Sequence, residues 1–371
     1  MSITTIRAVA PARVNIIGEH TDHNDGLVLP TCTALFTRII AKPRADGTVR
    51  ATTTTLGEAE DFELDDLSPL QTSNWIEYVK GIAAGLQEAG VALRGAELEI
   101  DSDIPLGAGL SSSASLELAA ANALLAIAGA TLLPDELARI CQKAEQEYAG
   151  VQCGIMDQYA LACTESGNAL FLDCRSMQAL QVKLPSDLTF ILTDSGVRHQ
   201  LTDGDYNNRA EECAAAVEIL AQSDAAVKSL RDVDADLLTR QESELGDLLF
   251  RRCRHVLSEN ERVLDMVTAL KAKDLPKIGS LLTACHESLR DDFAASCKPV
   301  DALVAGANDS ELVLGSRMVG GGFGGCVLSA CHSKDVIEVA EHIRDVYAAA
   351  NGEQPWQHQV VPAHPARVTG E

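Results

Sequence analysis

Aromatic residues make up only 4% of this 371-residue chain, and 30 lysines and arginines face 54 aspartates and glutamates, a formal net charge of −24. A field of that sign repels nucleic acid and anionic membranes. It also opposes a nucleotide triphosphate, so a nucleotide site here needs local positive dipoles and a metal ion. No apolar run approaches the roughly 18–20 residues that span a bilayer. The start, Met1-Ser2-Ile3-Thr4-Thr5-Ile6-Arg7, lacks a basic segment ahead of an apolar core, so no signal peptide is expected. The 11 cysteines are odd in number and form no C-x-x-C pair. That is neither a zinc nor a disulfide framework; it points to small buried thiols in a reducing compartment, the cytoplasm. What remains is 46% hydrophobic, ordinary for a soluble protein, and long enough for two or three domains.

The most informative segment is Pro105-Leu106-Gly107-Ala108-Gly109-Leu110-Ser111-Ser112-Ser113-Ala114-Ser115. Ala96, Leu98 and Ile100 alternate before it and predict a strand; Leu116 to Ala128 predicts a helix. Glycine lets backbone approach an anion, serine hydroxyls donate to it, and a helix N-terminus supplies free N–H groups. No G-K-[ST] closes the loop, so it is not a Walker A sequence. Gly107-x-Gly109 matches half of a dinucleotide fingerprint, but Ser112 stands at the third glycine position and no acidic residue ends a second strand. A ligand-free glycine-serine turn is the plain alternative.

Glu19-His20-Thr21-Asp22-His23-Asn24-Asp25 crowds polar groups between the apolar runs Val14/Ile16/Ile17 and Leu27/Val28/Leu29. A solvated turn, a metal site and a polyol cradle all suit it. Arg13 and Asn15 alternate onto one face just upstream, and an arginine there favours an anion or a transferring phosphoryl group. Asp157, in Cys153-Gly154-Ile155-Met156-Asp157-Gln158, is either a helix cap or a lone functional carboxylate. Glu145 falls on the preceding helix, which Pro134 opens. Trp75, Tyr78, Val79, Ile82 and Leu86 share a helical face over 74–89. Gly320 to Gly325 contains G-x-G-x-x-G but leads into a strand, which leaves a tight turn or a backbone closing over a ligand. Acidic amphipathic helices dominate from about 200 to 305. A boundary near 180–200 divides residues 1–185 from 186–371, and the tail after Gly352 reads as an edge strand plus a loose end.

Taken in order, these segments resemble the kinase superfamily of galactokinase, homoserine kinase, mevalonate kinase and phosphomevalonate kinase. Arg13-Val14-Asn15-Ile16-Ile17-Gly18-Glu19-His20-Thr21-Asp22 is similar to the galactokinase signature; Pro105–Ser115 and Gly320–Gly325 resemble the superfamily's ATP loop and third motif. Cys153–Gln158 and Val197-Arg198-His199, with Tyr206 and Arg209, extend the likeness. Ala12 stands where glycine is usual and His23 where tyrosine is usual, so the hexose is less defined than the reaction.

The resemblance implies a two-domain α+β protein: an N-terminal domain mixing sheet and helices, a ferredoxin-like C-terminal domain, and an active site in the cleft between them. It implies transfer of the γ-phosphoryl group of ATP to O1 of α-D-galactose. The alternatives are a same-fold kinase for a related sugar such as N-acetylgalactosamine, or a galactose/ATP sensor without turnover. It implies that Glu19, His20, Thr21, Asp22, Gly154 and Tyr206 hold sugar. Gly107, Ala108, Gly109, Leu110, Ser111, Ser112 and Ser113 would wrap ATP phosphates, with Trp75 and Tyr78 near the adenine. Ser113 and Glu145 would hold Mg²⁺, and Asp157 would be the catalytic carboxylate with Arg13 its partner. Galactose and ATP are then the partners, without nucleic acid or membrane, in a monomer or weak homodimer.

Overall fold

Period-two burial shapes the first half of the chain. In the computed structural model, which describes residues 5–70, 74–198 and 204–369, Ala96, Leu98 and Ile100 all point inward from one strand. The strands and helices run β1 Ile6–Asn15, β2 Leu27–Val28, β3 Pro30–Pro43, β4 Thr48–Thr53, β5 Glu58–Glu63, α1 Ile76–Glu88, β6 Ala96–Ser102 and α2 Ser112–Ala128. Then come α3 Pro134–Ala144, α4 Met156–Cys163, β7 Asn168–Asp173, β8 Ala179–Lys183 and β9 Leu188–Asp194. The helical stretch follows as α5 Asp205–Ser223, α6 Ala235–Arg240, α7 Glu242–Ala272, α8 Leu275–Asp291 and α9 Lys298–Asn308. The chain closes with β10 Val313–Met318, β11 Cys326–His332, α10 Val336–Asn351, β12 Gln357–Gln359 and β13 Arg367–Thr369.

Three sheets result. The first has the order β13-β1-β3-β6-β4-β5, the second β10-β11-β9-β12, and the third β2-β7-β8. The second is antiparallel throughout. Helices α1 to α4 pack beside the first sheet around Val79, Ile82, Leu98, Leu118 and Leu124, all fully buried or nearly so. A second core joins α5 and α7–α10 to β9–β11, and it takes in Val14, Ile16, Ile17 and Leu110 from the first half. The architecture is two-domain α+β. No described helix is long and apolar enough to cross a membrane.

Several boundaries differ from the periodicity. Helix α2 starts at Ser112, four residues before the apolar run, because serines of the loop already occupy its first turn. The helix opened by Pro134 passes at Glu145 into a π-helical turn, Glu145–Ala149. Such turns recur at functional sites, and the first residue of this one, Glu145, lines the cleft. The tail, as far as Thr369, is not loose. β12 pairs with β9, β13 pairs with β1, and Ala34 and Ala363 exchange backbone bonds with Val361 and Cys32 between them. All eleven cysteines are free.

Candidate active site

Backbone meets backbone at the centre of the molecule. A Cβ on Gly109 would lie 2.8 Å from the Val319 carbonyl oxygen, and one on Gly320 would lie 2.7 Å from Gly109 Cα. Only glycine permits that approach. The Cys326 N–H donates to Ala108 O at 3.2 Å, locking the serine loop against the glycine turn. Around this seam lies a cleft of about 1120 Å³, its open mouth included. Arg13, Glu19, His20, Asp22, Gly107, Gly109–Ser113, Glu145, Gly154, Asp157, Tyr206 and the glycine turn form its walls.

A register shift between Pro11 and Ala12 re-aims β1 just before Arg13. The Arg13 guanidinium then meets Asp157 edge to edge, Nε to Oδ1 at 2.7 Å and Nη2 to Oδ2 at 2.8 Å. Its third nitrogen donates to the Gly109 carbonyl, so the serine loop itself orients the pair. Arg13 is buried, and Asp157, Glu19 and Asp22 hold its guanidinium above its ordinary value although burial alone would lower it.

The polar loop wraps one end of the cleft. The Gly18 N–H donates to Glu259 Oε1 at 2.7 Å, the Leu27 N–H to Asn260 Oδ1 at 2.8 Å, and His255 Nε2 meets Glu19 O at 3.1 Å, all from α7. Burial pushes the Glu259 carboxyl up, but Arg262, His255 and Arg317 outweigh it and bring it down to about 2. The Glu19 carboxylate accepts from Gly320 N at 2.9 Å and Asn15 Nδ2 at 3.0 Å, and pairs with Arg317 at 2.5 Å. Asp22 is pushed up to about 7, by burial first and then by Asp157 and Glu19. Gly154 lies against it; a Cβ there would overlap the Asp22 carboxylate. His20 packs on Phe293 and Tyr206 at 4.5 and 5.2 Å between ring centres, with its imidazole driven well below its ordinary value by burial.

At the other end Ser113 and Glu145 line the cleft together, and the Glu145 carboxyl is pushed up by burial and by Asp157. Gln158 Nε2 bridges Glu145 at 2.6 Å and Glu117 at 3.0 Å. Glu117 is fully buried, its Oε1 has no hydrogen-bond partner among the described residues, and burial and Glu145 raise its carboxyl well above the usual range. Among the described residues that line the cleft, Arg13 is the one arginine beside Glu19, Asp22, Glu145, Asp157 and Asp205, with Arg317 behind Glu19. An anion of ATP's charge enters such a site only with a cation, and the carboxylates around Glu145 suit a hard divalent ion.

Three expected site residues, Thr21, Ala108 and Trp75, are not among those that line the cleft. Thr21 is off the cleft wall; its single hydroxyl proton lies between Gly18 O at 2.9 Å and Leu27 O at 2.7 Å and so braces the loop. Ala108 turns its side chain into the core and offers only its carbonyl to Cys326. Trp75 caps the start of α1 and packs on the first core, away from the cleft lining. Of the resembling stretch at 197–199, Arg198 pairs with Asp194 and His199 lies outside the described residues. Sequence reading missed Glu117, Gln158, Arg317, Glu259, Asn260 and His255. Glu117 carried a signal, a lone carboxylate inside an alanine-leucine helix; the α7 residues carried none, because only the fold brings that helix to the loop.

Comparison with known proteins fits this geometry. The profile of GHMP kinases N terminal domain matches residues 77–165, that of the galactokinase galactose-binding signature matches 3–43, and that of GHMP kinases C terminal matches 266–349. A galactokinase from Chloroflexus aurantiacus is 42% identical, covering 93% of this chain and 88% of its own. One from Haemophilus influenzae (strain ATCC 51907 / DSM 11121 / KW20 / Rd) is 38% identical over 95% and 91%. The crystal structure of Lactococcus lactis galactokinase complexed with galactose superposes with a TM-score of 0.92 at 32% identity, covering 98% of this chain and 94% of that one. Methanococcus jannaschii mevalonate kinase shares the fold at a TM-score of 0.69 and 17% identity, over 98% and 99%. The chain therefore belongs to the galactokinase family of GHMP kinases.

Proposed function

We propose that this enzyme transfers the γ-phosphoryl group of ATP to O1 of α-D-galactose, giving galactose 1-phosphate and ADP. The observation that carries the reading is the Arg13–Asp157 pair, set where the Glu19–Asp22 loop and the serine loop share one cleft. The bond from O1 to phosphorus forms as the bond from phosphorus to the ADP oxygen breaks, and the O1 proton moves toward Asp157. An anomeric hydroxyl is more acidic than other sugar hydroxyls, so a weak carboxylate base can serve if it is well placed. Asp157 orients O1 and Arg13 offsets charge on the transferring group. Glu19, His20, Asp22, Gly154 and Tyr206 hold the sugar, and Gly107, Gly109, Leu110, Ser112 and Ser113 the phosphates.

Ser113 and Glu145 are the residues that would hold Mg²⁺, which supplies charge neutralisation at the phosphate oxygens. What supports a cation is the unpartnered oxygen of buried Glu117 beside Glu145. Among the described residues no group of three or more His, Cys, Asp or Glu is placed to hold a metal; an ion at Ser113 and Glu145 shares its coordination with substrate phosphates and water. We place the division into lobes at 185/186 with the tail returning to β1, and the enzyme in the cytoplasm as a monomer or weak homodimer. The test is a panel of sugars with ATP and Mg²⁺, reading ADP release. Galactose is expected to give the highest kcat/KM; a stronger signal from N-acetylgalactosamine would reassign the substrate, and no ADP with any sugar would remove the kinase reading.

A further inference from the structure

Ser111 stands where a helix cap or a phosphate ligand is expected. It caps nothing, for its side chain makes no bond to the first N–H groups of α2. Its hydroxyl instead donates to Asp157 Oδ2 at 2.5 Å. Its backbone is left-handed, φ 60° and ψ 49°, a conformation unfavourable for a residue with a Cβ. The flanking contacts hold it there. Leu110 is buried, its carbonyl accepts from Arg13 N at 3.3 Å, and Ser111 O accepts from Ser115 N at 3.0 Å.

The bonds on Asp157 are unequal. Among the described residues Oδ2 receives Arg13 Nη2 and Ser111 Oγ, whereas Oδ1 receives Arg13 Nε alone. A carboxylate oxygen has two lone-pair directions, so Oδ2 is saturated and Oδ1 keeps one free. We propose that Ser111 is a positioning residue for Asp157 rather than a phosphate ligand: it fills the last acceptor site of Oδ2, so that the sugar O1–H meets Oδ1. The left-handed turn of the serine loop thereby sets which carboxylate oxygen faces the sugar. This rests on the reading of Asp157 as the group that acts on O1.

The test uses the full chain with Ser111→Gly and Ser111→Ala. Glycine suits the left-handed backbone, so Ser111→Gly removes the hydroxyl without straining the fold; alanine keeps the strain. Four quantities are read: kcat, galactose affinity by calorimetry, affinity for a non-hydrolysable ATP analogue with Mg²⁺, and the unfolding midpoint. Loss of a hydrogen bond to a charged group predicts a fall in kcat of about 10–100-fold in both variants. Both affinities are expected to stay within about threefold, the size of a lost uniform-binding effect too small to matter, and Ser111→Gly to keep its midpoint. Adding Ser111→Gly to Asp157→Ala is expected to leave the residual rate unchanged, since the two act as one unit. Unchanged kcat in Ser111→Gly would overturn the proposal. So would a loss of analogue affinity at full kcat, which would make Ser111 a phosphate ligand. Wild-type turnover in Asp157→Ala alone would instead remove the underlying assignment of Asp157.

Discussion

Arg317 and Glu19 form an ion pair that solvent does not reach: Nη2 lies 2.5 Å from Oε1, and the two side chains are 0% and 2% exposed. The guanidinium also donates to Asn15 O at 2.7 Å and Ile16 O at 2.8 Å, so one buried arginine ties β10 to the end of β1 and the polar loop that follows it. Removing one partner of a buried pair leaves an uncompensated charge, and about 3–5 kcal/mol is then lost. Arg317→Met is expected to lower unfolding free energy by that order in urea titrations. The double variant Arg317→Met/Glu19→Gln should recover most of the stability while galactose affinity stays weak. A single variant as stable as the wild type would show that Arg317 does not anchor the loop.

Gly154 governs the space beside Asp22, because a side chain there would overlap the carboxylate. Gly154→Ala is expected to raise KM for galactose at least about tenfold, the scale of one displaced polar contact, with KM for ATP little changed. Steady-state kinetics with each substrate varied separates the two. Equal effects on both would mean that the helix start has shifted as a whole.

Metal affinity should depend on the Glu145 carboxylate and, through Gln158, on Glu117. Glu145→Gln is expected to raise the half-saturating Mg²⁺ concentration by about tenfold or more, and Glu117→Gln by less, as outer partners of a ligand commonly do. Direct Mn²⁺ binding by paramagnetic resonance, without turnover, checks both. An unchanged titration in Glu145→Gln would discard it as a ligand.

Asp22 makes stability depend on pH. Its folded carboxyl sits at about 7 against an ordinary value of 3.8, raised by burial, Asp157 and Glu19. A raised carboxyl favours the folded state fully below about 3.8, and that contribution fades as pH rises through about 7. Asp22→Asn should therefore gain stability relative to wild type as pH rises from about 5 to 8. Denaturant unfolding of the two proteins across that range measures the gap; a constant gap would show that Asp22 is already ionised in the folded protein.

Much of this protein was written in short-range pattern. Alternation at Ala96, Leu98 and Ile100, the proline at Pro134 and the glycines flanking Ala108 are local signals, because a strand face, a helix start and a tight turn each depend on a few neighbouring residues. Those signals, in their order, were enough for the family and for most of the cleft lining. Which polar groups are left for ligands is a long-range matter. The Thr21 hydroxyl bonds to Gly18 O and Leu27 O, and that of Ser111 to Asp157 at 2.5 Å, contacts that no local pattern announces. Arg317, Glu259 and Asn260 lie more than 200 residues from the loop they hold, and no periodicity reports a partner at that distance. The sequence by itself determined the elements and the chemistry they could carry; the tertiary structure decided which groups carry it, since a buried donor or acceptor must find its partner wherever packing brings one.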